Sequence, residues 1–198
     1  MKQLRRRAFL ATPMLGWPQF SSGQGTKENN DALRAVRQGG VVLAFRHALA
    51  PGTFDPPQFK LGDCSTQRNL NDEGREQARR IGRWFMAQGL QPARVRSSPW
   101  CRCMDTAKLA FGKIEPWAAL GSPRGSPEQT NGQHLGELRR ALQEAAAQPR
   151  ALQVWVTHMF VLSALTQQNS SSGEGLVLRA GGGSDTGSNV QVLSRINV

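Results

Sequence analysis

Five consecutive apolar residues, Val41–Phe45, constrain this chain more than any other segment. A strand without alternation has no polar face, so both of its faces must be covered. The neighbouring segments supply covers. Residues 28–38 have helical spacing, with Ala32, Leu33, Ala35 and Val36 on an apolar side and Gly39-Gly40 as the stop. Asn71 is placed to cap a second helix, with Asp72 and Glu73 in its first turn, Ala78, Ile81, Trp84 and Phe85 on one face and Gly89 at its end. Ala93–Ser97 predicts a second strand, and Ser98-Pro99 a cap and first-turn pair for a helix over Trp100–Phe111. Ile114–Leu120 is expected as a third strand and Gly121–Gly132 as a loop. Leu135, Leu138, Leu142 and Ala145 mark another amphipathic helix. Leu152–Thr157 predicts a fourth strand, followed by a helix from His158 or Met159. The tail "GLVLRAGGGSDTGSNVQVLSRI" predicts two strands joined by a flexible glycine turn. Strand alternating with helix specifies the α/β class: a three-layer α/β/α sandwich with a mainly parallel sheet.

A chain of 198 residues suffices for one domain with a real core. Its net charge of +11 points to anionic partners. After position 10 there is no dense basic run interleaved with aromatics, which argues against specific nucleic-acid binding. The start, "RRRAFLAT", holds Arg6-Arg7-x-Phe9-Leu10, close to a twin-arginine export signal, and "SSGQG" follows with small residues suited to cleavage. Residues 1–25 are therefore expected to be an export segment, residues 26–198 a single domain, and the protein periplasmic. The apolar stretch of the leader is too short for a transmembrane segment. In an oxidising compartment Cys64 is expected to pair with Cys101 or Cys103, leaving one thiol free. A Cys-x-Cys pair with one distant cysteine and no His-rich partner is a poor metal motif, so neither metal nor cofactor is expected.

In open α/β sheets ligands bind outside the carboxyl ends of the strands. The first strand ends in Arg46-His47, the second in Ser97-Ser98 with Arg102 in the following helix turn, and the fourth in Thr157-His158. Parallel strands bring these ends to one edge. Two guanidiniums, two imidazoles and a helix N-terminus suit a phosphoryl group, because guanidinium forks match phosphate oxygens and free N–H groups add donors. Nearby cations disfavour an imidazolium, and a neutral imidazole has a lone pair that can attack phosphorus. One ring nitrogen must then be held by an acceptor, such as a backbone carbonyl. His134 lies in a helical pattern without polar company and has no such role. The stretch Ala48–Leu70 has no periodicity, and a loop of that length in a compact domain is usually functional or disordered.

The same segments, in order, resemble a known family. "FRHALAPG" is similar to the Arg-His-Gly signature of the histidine phosphatase superfamily, which has the phosphoglycerate mutase-like fold. "LNDEGREQARRIG" resembles that family's helix motif, "SSPWCRCMDTA" its Ser-Ser-Pro…Arg…Thr-Ala motif, and "VWVTHMF" its second-histidine strand. The resemblance implies a phosphatase acting on a phosphorylated small molecule or protein. It implies His47 as the nucleophile that becomes phosphohistidine, and Arg46, Arg102 and His158 as holders of the phosphoryl oxygens. Two residues depart from the pattern. Ala48 stands for the signature glycine, and Met159 stands where the acid-phosphatase and phytase branch carries an aspartate. The general acid is thus open among Glu128, Asp63, Asp55 or none. The rival from another class is a catalytically inactive module that binds phosphate or a polyanion in the same pocket.

Overall fold

The computed structural model describes residues 23–123, 128–182 and 190–198. The expected export segment lies outside them, apart from Gly23–Gly25, as does most of the glycine turn in the tail. In the described residues no helix is long and apolar enough to cross a membrane.

The apolar strand, β1 (Val42–Arg46), lies at the centre of a six-stranded sheet. The others are β2 (Arg94–Ser97), β3 (Glu115–Pro116), β4 (Gln153–Thr157), β5 (Gly175–Ala180) and β6 (Val190–Ile196). Their order is β3-β2-β4-β1-β5-β6. Strands β3, β2, β4 and β1 pair in parallel, whereas β5 and β6 are antiparallel additions at the other side.

Among the described residues five helices cover this sheet: α1 (Gly23–Gln38), α2 (Asp72–Ala87), α3 (Cys101–Phe111), α4 (Glu128–Ala147) and α5 (Met159–Thr166). The pleat of β1 divides the core. Leu43 and Phe45 join Ala32 and Val36 of α1, Ile81 and Phe85 of α2 and Ala107 of α3. Val42 and Ala44 join Leu138 and Leu142 of α4 and Leu162 of α5. The result is the expected three-layer sandwich. Asn71 caps α2 as expected, its side chain accepting from Gly74 N.

Four local expectations are corrected. Helix α1 starts at Gly23, ahead of residue 28, because glycines and polar residues there carry no apolar periodicity. The third strand shrinks to Glu115–Pro116, followed by a 3₁₀ turn over Ala118–Leu120. β3 is an edge strand containing proline, which cannot extend a ladder as a donor. The expected loop Gly121–Gly132 gives way to helix from Glu128, since the polar, glycine-containing first turns of α4 conceal its period. The N-cap of α3 is Trp100 rather than Ser98. The Ser98 hydroxyl still accepts from Trp100 N, at 3.3 Å, but serves mainly elsewhere.

Helix α2 approaches the chain leaving β1 closely enough that only glycine fits at position 74. A Cβ there would overlap the Leu49 carbonyl, so the first turn of α2 backs the segment just past His47. Gly74→Ala is expected to lower stability by roughly 1–3 kcal/mol through overpacking. Urea denaturation checks this, and an unchanged midpoint would mean that the segment yields freely.

Candidate active site

The three strand ends meet as expected. Parallel register sets Arg46 opposite Thr157 and Ser97 opposite Val156. His47 N donates to Thr157 O at 2.9 Å, and Ser98 N to Val156 O at 2.8 Å. The residues that follow are therefore held side by side. His47, His158 and Arg102 are buried, and the two imidazole rings lie 5.6 Å apart between centroids.

His47 has one tautomer available in this arrangement. Its Nδ1 lies 2.7 Å from Ala48 O. A carbonyl only accepts, so Nδ1 carries the proton and Nε2 keeps the lone pair. Burial lowers the His47 pKa to about 3; the guanidiniums of Arg102, Arg68 and Arg46 reinforce this, while the Ala48 carbonyl bond opposes it. Ala48 fits where the family signature has glycine. It is fully buried, its backbone has no positive φ, and its N–H donates to Thr106 Oγ1 at 3.0 Å.

His158 is oriented by two neighbours. Arg102 Nη2 lies 3.4 Å from Nδ1, and a guanidinium only donates. Nε2 therefore carries the proton and donates to Ser98 Oγ at 2.8 Å. Burial, then the charge of Arg102, lowers the His158 pKa well below its ordinary value. Arg46 donates through Nη1 to Ser170 O at 2.7 Å.

The aperiodic segment is a strap across the site. It brings in Arg68, which sequence reasoning missed, making a third guanidinium beside Arg46 and Arg102. Arg68 donates to Ala50 O through Nη1, and its backbone N–H to Asp55 Oδ1 at 3.0 Å. The same Oδ1 accepts from Arg102 Nη1 at 2.8 Å, a pair with both side chains only 5% exposed. The strap is fastened to α3 by the Cys64–Cys101 disulfide, by Gln67 Oε1 accepting from Cys101 N, and by Phe59 stacked on Trp100. This settles the cysteine pairing and leaves Cys103 as the free thiol. Burial pushes the Cys103 thiol up to about 12, so it is inert at neutral pH. The missed arginine lay two residues before the helix motif, in a stretch where only a loop was legible.

Of the carboxylates considered as acids, only Asp55 lines the pocket. Asp63 is exposed and caps a 3₁₀ turn, accepting from Ser65 N and Oγ. Glu128 is exposed in the first turn of α4. In the described residues no three His, Cys, Asp or Glu side chains converge as a metal site.

Residues 61–121, from the strap through α2, β2 and α3, match the family model of the histidine phosphatase superfamily (branch 1). Over this segment the chain is similar to that superfamily. The fold carries the likeness beyond that segment, over 79% of the chain in the first case. The protein histidine phosphatase SixA, solved with tungstate, aligns with a TM-score of 0.52 at 17% identity over 79% of this chain and 96% of its own. The alpha-ribazole phosphatase of Shigella flexneri aligns with a TM-score of 0.53 at 14% identity over 80% and 98%. The open reading frame Rv3214 product of Mycobacterium tuberculosis gives 0.53 at 17% over 78% and 96%. At these identities it is the histidine phosphatase fold that is shared. No curated protein matches the chain.

Two outcomes are expected of this site. His47, with its pKa lowered from the ordinary 6.5 to about 3, takes up a proton on unfolding throughout that interval. Its contribution to stability is present above pH 6.5 and is lost as pH falls toward 3. The urea midpoint should fall between neutral pH and pH 5, and His47→Asn should flatten the fall; an equal fall in the variant would remove His47 as its source. The second concerns the strap. The disulfide closes a loop with a sequence separation of 37. Cys64→Ser should cost about 3–4 kcal/mol by chain entropy. A loss below about 1 kcal/mol would show that the other fastenings suffice.

Proposed function

We propose that this chain is a phosphatase that works through a covalent phosphohistidine on His47. One observation carries the proposal: a neutral imidazole of fixed tautomer shares a buried pocket with three guanidiniums and a second imidazole. The Nε atoms of Arg46, Arg68 and Arg102 are buried and have no hydrogen-bond partner. Three guanidiniums lining one pocket suit a phosphoryl dianion, whose oxygens can accept from several of them at once.

The chemistry follows from these groups. The Nε2 lone pair of His47 attacks phosphorus in line with the leaving oxygen. The N–P bond forms as the P–O bond breaks, and its electron pair departs on the leaving oxygen. Arg46, Arg68 and Arg102 hold the equatorial oxygens and stabilise the charge that spreads over them. His158, expected from the family resemblance to join them, has Nδ1 facing Arg102 and Nε2 bonded to Ser98, and so orients Arg102 instead. Asp55 positions Arg102. Water then attacks phosphorus, the N–P bond breaks, its electron pair returns to Nε2, and orthophosphate leaves with the water's oxygen and one of its protons, the other balancing the proton taken up by the released oxygen. Burial keeps Nε2 unprotonated at neutral pH, so no base is needed to activate it.

The disulfide between strap and α3 fits an oxidising compartment and supports export through the N-terminal segment. Substrates are phosphorylated small molecules or proteins, in keeping with the phosphatases that share the fold.

The test is hydrolysis of phenyl phosphate by the full chain beside His47→Ala. The variant should lose roughly a thousandfold or more in kcat. Alkaline quenching of the wild type with labelled substrate should trap label on His47. Tight phosphate binding by both proteins without turnover by either would replace the proposal with the inactive binding module.

A further inference from the structure

The mouth of the pocket differs chemically from its floor. Its cavity is about 490 Å³, within the range of small-molecule sites. Over the cationic floor stand Phe54 from the strap, Pro123 after β3, and Met159 and Phe160 from the first turn of α5. Four large apolar side chains are strongly exposed among the described residues, and two of them, Phe54 at 66% and Phe160 at 50%, flank this opening. They come from segments more than a hundred residues apart, yet the fold sets both beside one site. Exposed phenyl rings are scattered singly on most surfaces; two at the mouth of a polar pocket make an apolar seat for whatever the phosphate is attached to.

The floor adds a second constraint. An alkoxide leaving group needs a proton from a nearby acid. Asp55, the carboxylate that lines the pocket, receives the Arg102 guanidinium and the Arg68 N–H on one oxygen. That arrangement suits a carboxylate holding a cation more than a proton donor. A phenolate is a far better leaving group, since phenols ionise near pH ~10.

We infer, building on the phosphatase proposal, that the pocket selects phosphomonoesters of aromatic alcohols, with the aryl group seated between Phe54 and Phe160. On transfer to His47 the aryl P–O bond breaks, the electron pair leaves on the phenolate oxygen, and that oxygen takes its proton from water. Specificity arises at the mouth, from side chains that touch the leaving group and never the phosphorus.

The experiment compares phenyl phosphate, naphthyl phosphate and glycerol phosphate as substrates of the full chain. Phenol and naphthol have similar acidities, so their ratio reports the seat and not the leaving group. The second ring should raise kcat/KM about tenfold, mainly through KM, as burial of a few extra carbons does. Glycerol phosphate should be the poorest substrate. Phe160→Ser and Phe54→Ser should each reduce the naphthyl-to-phenyl ratio below about threefold. A ratio near one in the wild type, a ratio preserved in both variants, or faster hydrolysis of a histidine-phosphorylated peptide than of either aryl ester would overturn the inference while leaving the phosphatase proposal standing. Absence of His47-dependent turnover on all substrates would remove the phosphatase proposal itself.

Discussion

Parallel pairing of β1 with β4, in the register that sets Arg46 against Thr157, is the constraint from which the pocket follows. Each strand ends in a histidine one residue further on. The backbone bond from His47 N to Thr157 O carries the pairing up to the point where the chains separate. An antiparallel arrangement would have sent one histidine to each end of the sheet. The antiparallel strands β5 and β6 lie on the far side of β1 and so leave the shared edge of β1, β4 and β2 undisturbed.

Gathering cations at that edge creates a problem that the strap solves. Burial and mutual repulsion with Arg102 lower the pKa values of both Arg46 and Arg68. Asp55 offsets part of this by accepting from Arg102 and from the Arg68 backbone. Removing one partner of a buried ion pair typically costs about 3–5 kcal/mol, because the remaining charge stays uncompensated. The disulfide, Gln67 and Phe59 hold the strap where Asp55 can do this. The aperiodic segment is thus part of the pocket's framework.

Much of the fold was legible along the chain. The apolar run at β1, the cap at Asn71 and the spacing of Leu138 and Leu142 are local signals, because core faces impose their period on the residues that fill them. Elements with weak periods depart from what their sequence predicts. Helix α4 begins with Glu-Gln-Thr-Asn-Gly, and β3 is a two-residue edge, so neither carries a buried face at those positions. His47, Arg46, Arg102 and His158 were legible because strand ends and helix starts can be placed by counting. Arg68 and the placement of Asp55 were not, since a loop without period gives no direction to its side chains.

By itself, the sequence determined the three layers, the strands whose ends carry histidine and arginine, and the presence of one cysteine pair among three thiols. Those properties depend on periodicity and on residues adjacent in the chain. Only the tertiary structure decided that Cys64 joins Cys101, that Arg68 completes the guanidinium cluster, that Asp55 meets Arg102 while Asp63 and Glu128 stand apart, and that Phe54 shares an opening with Phe160. Each of these is a meeting of segments distant in sequence. Chain spacing does not encode such distances, and they are set when the strap folds over the sheet edge and packs against α3.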